Sequence, residues 1–267
     1  MILLSISIVI ALLVIIGLPI AAGYWMKDKL SVSWQTITFG VLGYFIVQVL
    51  VSLIFSGLTS VIPGWDAAAG GETFSVSQIL TNVFLGVIIG VLARWGGMKF
   101  LKLENLEDAY GLAVGYGGAE SIMLVGLPLL MTFITMLSNI NIDPQTSALE
   151  PEMISQIEEL WALEFYIPLA TALERITAFV MHITVTLLIL QVFKRNQPAW
   201  LGAAAGLEML ITGLVVSLSE AGLHYGWVIL IGVILMVGNL VIIYRLNGFD
   251  IDITKSVRTK EDTGDTR

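Results

Sequence analysis

Cysteine is absent from this chain, and histidine and charged residues are scarce. The 267 residues include no cysteine and two histidines, and 13% of them are charged. Without cysteine the chain can form no disulfide, no thiolate metal site and no cysteine nucleophile. The net charge of −8, with no basic stripe between aromatic residues, argues against a nucleic-acid partner.

Hydrophobic residues dominate the composition instead. They make up 57% of the chain, as in polytopic membrane proteins, whose main partner is the lipid bilayer. A membrane-crossing helix needs about 20 apolar residues, and seven runs are long enough. They lie near residues 2–23, 34–56, 75–95, 109–136, 165–191, 199–219 and 227–244. The sequence therefore predicts an all-α transmembrane helix bundle of about seven spans within residues 1–245.

Two polar segments lie outside these spans. Residues 138–164 are predicted to form an extracytoplasmic loop, and within it residues 150–164 carry apolar residues at helical spacing. That spacing predicts an amphipathic helix at the membrane interface. Residues 246–267 are polar and have few apolar residues, so we expect a disordered cytoplasmic tail.

Basic residues occur at alternate ends of the spans. Twelve of the thirteen would be cytoplasmic if the N-terminus is outside, namely Lys27, Lys29, Arg94, Lys99, Lys102, Lys194, Arg195, Arg245, Lys255, Arg258, Lys260 and Arg267. The outer loops hold no basic residue, and they carry acids instead. Because the Lys/Arg bias sets orientation, the N-terminus is predicted outside and the C-terminus inside. The expected location is the plasma membrane, as a multi-pass protein.

Five ionisable residues lie inside the apolar runs, where they are costly and need partners or a role. They are Glu120, Glu174, Arg175, His182 and Glu208. At about 1.5 Å per helical residue, Glu120 lies roughly 16 Å from the cytoplasmic side, and His182 and Glu208 roughly 14 Å. Three groups on three spans thus share one depth. They suit a divalent metal ion, and equally a proton-coupled site or a hydrogen-bonded packing cluster.

Glu174 and Arg175 are predicted to lie about 10–12 Å nearer the outer face. Adjacent residues on a helix do not face each other. We therefore expect each to have its own partner, with Glu120 or Glu164 as candidates for the arginine. The predicted role of Arg175 is to tie its helix into the bundle. The glycine-rich residues 111–121 predict a close approach between helices.

Three segments carry a resemblance to one family. Residues 90–100 (GVLARWGGMKF) are similar to a Glu-Glu-x-x-Arg helix with an aromatic-containing continuation. Residues 115–120 (GYGGAE) are similar to Gly-His-Gly-Gly-x-Glu, and Glu174-Arg175 with His182 and Thr186 to a Glu-Arg…His helix. Over roughly residues 1–245 the chain resembles the YhfC family of bacterial membrane proteins. These are classed as intramembrane metalloproteases and are distantly similar to CAAX prenyl proteases.

The resemblance implies a site and a chemistry. In a metalloprotease one carboxylate activates a metal-bound water, while histidine and carboxylate ligands hold the metal. The resemblance thus implies a divalent metal, with zinc first, and a membrane-embedded peptide or protein substrate. Glu120 or Glu174 would be the catalytic base. The implied metal ligands are His182, Glu120 and Glu208, and the implied structural or substrate-orienting residues are Arg94, Arg175 and Tyr116.

The chain departs from the family pattern at four positions. The paired glutamates fall on Gly90 and Val91, and the histidine of the glycine-rich segment falls on Tyr116. A histidine on the following helix falls on Glu208. Convergence of Gly90, Tyr116, His182 and Glu208 on one polar cavity would indicate a remodelled site. Their dispersal would indicate a vestigial one.

Three functions therefore remain open from the sequence. The first is an intramembrane metalloprotease or a degenerate relative of one. The second is a catalytically silent protein that binds a membrane substrate or partner. The third is a small proton or cation carrier that moves its cargo past Glu120, Glu174 and Glu208.

Overall fold

The protein is a bundle of long helices. The computed structural model describes residues 1–62, 75–139, 151–222 and 224–249, and these contain no strand. The helices are α1 Ile2–Lys29, α2 Trp34–Val61, α3 Val76–Leu101, α4 Leu106–Ser138, α5 Pro151–Ala162, α6 Tyr166–Arg195, α7 Ala199–Glu220 and α8 Tyr225–Arg245. All except α5 are long and apolar enough to cross a membrane. The prediction of an all-α bundle with seven spans is confirmed. Residues 250–267 of the predicted tail lie outside the described residues.

Polar side chains define where several helices begin. Ser33 caps α2 by accepting a hydrogen bond from the backbone N–H of Thr36, at 3.0 Å. Ser75 and Gln78 form a reciprocal capping box at the start of α3. Asn105 caps α4. These side chains satisfy N–H groups that have no partner within the helix, and so they mark the ends of the spans.

Helix α6 lies at the centre of the bundle. In its most apolar 18-residue window 61% of the residues are buried, against 17–33% in the other six spans. It packs against α1, α3, α4, α7 and α8. Its ionisable residues therefore lie where they can contact side chains from several helices rather than lipid.

Glycine allows α2 and α4 to touch along their backbones. A Cβ atom on Gly115 would collide with the carbonyl oxygen of Ile37, and one on Gly40 with the carbonyl oxygen of Leu112. Small residues permit this approach between transmembrane helices. The contact places the segment that follows, with Tyr116 and Glu120, against the interior.

Helices α1 and α4 each contain a π-helical turn, and the two turns touch. The turns are Leu13–Gly17 in α1 and Ser121–Gly126 in α4. Pro19 has no N–H, so the carbonyl of Ile15 lacks its usual helical donor. The Ser121 hydroxyl donates to this carbonyl at 3.1 Å. This bond joins α1 to α4 immediately after Glu120.

Helix α5 packs on the bundle through its apolar face. Leu160 and Trp161 contact a buried cluster of Leu4, Ile8 and Met136 at the ends of α1 and α4. The helix covers most of the segment whose spacing predicted one. Its position at a membrane interface stays a prediction.

Candidate functional site

Three ionisable side chains from three helices meet inside the bundle. His182 Nε2 of α6 lies 3.2 Å from Glu120 Oε2 of α4. His182 Nδ1 lies 3.7 Å from Glu208 Oε1 of α7. His182 and Glu208 are buried, and the Glu120 side chain is 21% exposed. The three residues that the sequence predicts at one depth in the membrane are therefore in contact, and the imidazole lies between the two carboxylates.

Each of the two carboxylates also contacts a guanidinium group. Arg94 Nη2 of α3 lies 2.5 Å from Glu208 Oε2, and the arginine side chain is only 1% exposed. Arg94 Nε donates to the carbonyl of Gly90 at 3.0 Å. Arg175 Nη1 lies 3.9 Å from Glu120 Oε1. Buried charges need such partners because desolvation of an unpaired ion is costly.

Arg175 also binds its own neighbour in sequence. Its Nη2 lies 2.5 Å from Glu174 Oε1. The expectation that these two residues take separate partners is therefore wrong for Glu174. The two Cβ atoms do point in different directions, but the long arginine side chain lets its guanidinium reach back to the preceding carboxylate. Arg175 consequently bridges Glu174 and Glu120, and it ties α6 to α4.

Two of the departures from the family pattern lie next to each other. A Cβ atom on Gly90 would lie 2.8 Å from the hydroxyl oxygen of Tyr116. The Tyr116 ring lies under the Arg94 guanidinium at 4.6 Å, and its centroid is 5.4 Å from that of His182. The phenol therefore occupies the space beside position 90, where a longer side chain would project. Glycine at 90 makes room for tyrosine at 116.

Sequence reasoning missed Tyr44. Its ring packs edge-to-face on Tyr116 at 5.8 Å, and it is buried. A tyrosine in the middle of an apolar span was the available signal, because a buried phenol needs compensation for its hydroxyl.

Glycine also brings the imidazole against a helix backbone. A Cβ atom on Gly117 would lie 2.9 Å from His182 Cδ2. This glycine therefore shapes the site directly, in addition to the helix packing that the sequence predicts. Thr186, the last residue of the resembling segment, donates its hydroxyl to the carbonyl of His182 at 2.7 Å, within its own helix.

The three predicted metal ligands are not arranged around a common point. The carboxylates approach opposite nitrogens of one imidazole, and a metal ion bonds to one nitrogen at about 2.0–2.1 Å. An ion on Nε2 would meet Glu120, and an ion on Nδ1 would meet Glu208. A catalytic zinc site has three protein ligands. In the part of the chain that the structure describes, no group of three or more His, Cys, Asp or Glu side chains is placed to hold a metal. The donor set in this arrangement does not fit a catalytic metal.

The ionisable side chains form a series of contacts that runs from Glu174 through Arg175, Glu120, His182 and Glu208 to Arg94. A cavity of about 160 Å³ lies beside the Glu174 end of this series, between α6, α7 and α8. Glu120, Glu174 and Arg175 line its polar side. Its other walls are mostly apolar and include Leu173, Met181, Ile211, Val215, Val228 and Ile229. Gly90, Tyr116, His182 and Glu208 converge behind Glu120, but they do not line this cavity. Three of the four altered motif positions, Gly90, Tyr116 and Glu208, thus lie together around His182.

The fold and the buried chain of charges define a multi-pass membrane protein with ionisable groups inside its helix bundle. A family model described as YhfC intramembrane metalloprotease matches residues 10–237. The chain therefore belongs to the YhfC intramembrane metalloprotease family, which confirms the resemblance seen in the sequence. No curated protein and no solved structure matches the chain.

Proposed function

We propose that this protein is a non-hydrolytic member of its family that binds a membrane-embedded peptide or protein segment. The observation that carries the proposal is the position of His182 between two carboxylates, each of which also contacts a guanidinium. Arg94 pairs with Glu208 and Arg175 with Glu120, so both carboxylates beside the imidazole already have a cationic partner. The cavity beside Glu120 supplies a place for a ligand.

The same residues give little support for peptide hydrolysis. A zinc hydrolase needs three ligands, an open coordination position and a base for the metal-bound water. The glutamate pair of the family pattern falls on Gly90 and Val91. The remaining candidates for the base, Glu120 and Glu174, both contact Arg175.

Several finer assignments stay predictions. For an active enzyme, zinc would be the first metal to test, with His182, Glu120 and Glu208 as ligands. Glu120 or Glu174 would be the base, and Arg94, Arg175 and Tyr116 would orient the substrate. The distribution of lysine and arginine predicts an outer N-terminus and a cytoplasmic C-terminus, and the plasma membrane is the predicted location.

A proton or cation carrier is a weaker candidate. Its support is the unbroken chain of ionisable groups from Glu174 through His182 to Arg94. The chain ends at an arginine that is 1% exposed and paired with Glu208. A carrier would need access from both faces, whereas the cavity meets this chain at the Glu174 end. The geometry favours binding over transport.

Metal analysis of the purified protein tests the loss of hydrolytic chemistry. We expect the wild type to hold far less than one divalent metal ion per chain by mass spectrometry, with no change in His182→Ala. The matched control is His224→Ala, because His224 is the other histidine and lies exposed at the start of α8. A full equivalent of metal that disappears in His182→Ala and persists in His224→Ala would overturn the proposal.

A variant that restores family-pattern residues provides a second test of metal binding. Gly90→Glu, Val91→Glu and Tyr116→His together return three of the four departed positions to the family pattern, with Glu208 kept as the fourth, and they remove the phenol that fills the space at position 90. We expect this triple variant to gain metal relative to the wild type. Tyr116→His alone, which supplies one imidazole without the carboxylate pair, is the partial control and should gain less.

Cross-linking in native membranes tests the binding half of the proposal. A photoreactive amino acid at Val216, in the cavity wall, should give adducts with a polypeptide. The same probe at Leu92, which is 49% exposed on the outside of α3, is the control for contact with lipid and passing proteins. Identical adducts from both positions would contradict a specific partner in the cavity.

A further inference from the structure

The cavity between α6, α7 and α8 is amphipathic. Its polar side consists of Glu120, Glu174 and Arg175, with the hydroxyl-bearing Thr177 and Thr212 nearby. The remaining wall is mostly aliphatic. The Glu174 side chain is 40% exposed, so a ligand in the cavity can reach its carboxylate. Such a site fits a molecule with one polar end and an apolar body.

Carboxylates outnumber guanidinium groups on the polar side of the cavity. Two carboxylates share one guanidinium, since Arg175 contacts both Glu120 and Glu174. Arg94 does not make up the difference, because it is paired with Glu208 behind the cavity. The two carboxylates therefore outnumber the guanidinium group that they share, and the imidazole of His182 contacts Glu120 from the side away from the cavity. An ammonium ion in the cavity would bring a second cationic group to these carboxylates.

We propose that this cavity binds a primary ammonium ion carried on an apolar body of a few carbons. The three N–H donors of an ammonium group match carboxylate oxygens of Glu120 and Glu174, and the hydrocarbon part lies against the wall formed by α7 and α8. A single ion would leave much of the space unfilled, because about 10–15 Å³ of such volume holds one water. The inference concerns the same cavity as the proposed function and rests on it, because it names the chemical group that the cavity accepts, a group that a lysine side chain of a bound polypeptide also carries.

Affinity for hexylammonium, measured by calorimetry in nanodiscs of phosphatidylcholine, tests this inference. Hexanol and hexanoate have the same body with no charge and with a negative charge. We expect hexylammonium to bind at least about tenfold more tightly than either, which corresponds to about 1.4 kcal/mol. Empty nanodiscs correct for partition into lipid.

Two variants and one control assign the effect to the cavity. Glu174→Gln removes the more exposed of the two carboxylates and should abolish the preference for hexylammonium over hexanol. Glu164→Gln, at an exposed glutamate that does not line the cavity, is the matched control and should leave the preference intact. Gly232→Leu adds a side chain to the wall, where a Cβ meets no atom within 4 Å, and should weaken both ligands.

Equal affinities for hexylammonium and hexanol in the wild type would overturn the proposal, and so would an unchanged preference in Glu174→Gln. The natural ammonium group could belong to a polypeptide, a lipid headgroup or a free amine. Competition by phosphatidylethanolamine in the nanodisc would identify the lipid, and without it a polypeptide adduct from the probe at Val216 separates a lysine side chain from a free amine.

Discussion

Replacing Gly90 with alanine tests whether the phenol of Tyr116 truly occupies the space of the missing carboxylate. The new Cβ would lie 2.8 Å from the Tyr116 hydroxyl oxygen and 3.5 Å from Arg94 Nη2. The ring cannot easily withdraw, since Arg94 lies over one face and Tyr44 packs against it. Overpacking of this kind costs about 1–3 kcal/mol. Better helix propensity of alanine offsets about 1 kcal/mol of that.

The second substitution in this test is Tyr116→Phe. Without the hydroxyl, the nearest Tyr116 atom to the new Cβ is Cζ at 3.7 Å, an ordinary van der Waals contact. Gly90→Ala should then be neutral or slightly stabilising in the Tyr116→Phe background. The helix-propensity contribution is the same in both backgrounds and cancels. The double-mutant cycle should therefore give a coupling of about 1–3 kcal/mol.

The assay is unfolding of the detergent-solubilised protein, followed by circular dichroism as sodium dodecyl sulfate is added. Gly86→Ala, one turn earlier on α3, is the matched control, because a Cβ there meets no atom within 4 Å. It should show no coupling to Tyr116→Phe. An equal cost of Gly90→Ala in both tyrosine and phenylalanine backgrounds would refute the proposed filling of this space.

Two further substitutions can be measured by the same unfolding assay. Arg94→Met should destabilise by about 3–5 kcal/mol, because it leaves the buried Glu208 carboxylate without its guanidinium. Adding Glu208→Met should recover most of that loss, and failure to recover would mean the pair is not the cause. Ser121→Ala should cost about 0.5–1.5 kcal/mol by removing its bond to the Ile15 carbonyl. Pro19→Ala supplies an N–H for that carbonyl, so it should reduce the cost, and an unchanged cost would argue against this role for Ser121.

The spans and the depth of the central residues could be predicted because both depend only on distance along the membrane normal. Hydrocarbon thickness sets the length of an apolar run, and the helical rise converts position into depth. Glu120, His182 and Glu208 could therefore be assigned to one level before any packing was known. Depth alone does not say which side of each helix faces inward, or which carboxylate meets which nitrogen.

The partners of the arginines illustrate what depth cannot supply. Arg94 was grouped with the cytoplasmic ends of the spans, yet it points inward to Glu208 and is buried. Arg175 was expected to pair with a residue on another segment, and it binds both Glu120 and the adjacent Glu174. Long side chains reach several ångströms from their Cβ atoms, so their partners depend on the side-chain rotamer and not only on the position in the sequence.

The amino-acid sequence was sufficient to define an all-α membrane protein, its family and the residues that carry charge into the bilayer. These properties follow from hydropathy, charge and local spacing. Packing between helices decided how those residues act on one another. It places the phenol of Tyr116 beside Gly90. It also places one imidazole between the carboxylates of Glu120 and Glu208, and it forms the cavity next to Glu174. Such contacts join residues far apart in the chain, and they exist only once the helices have taken their places.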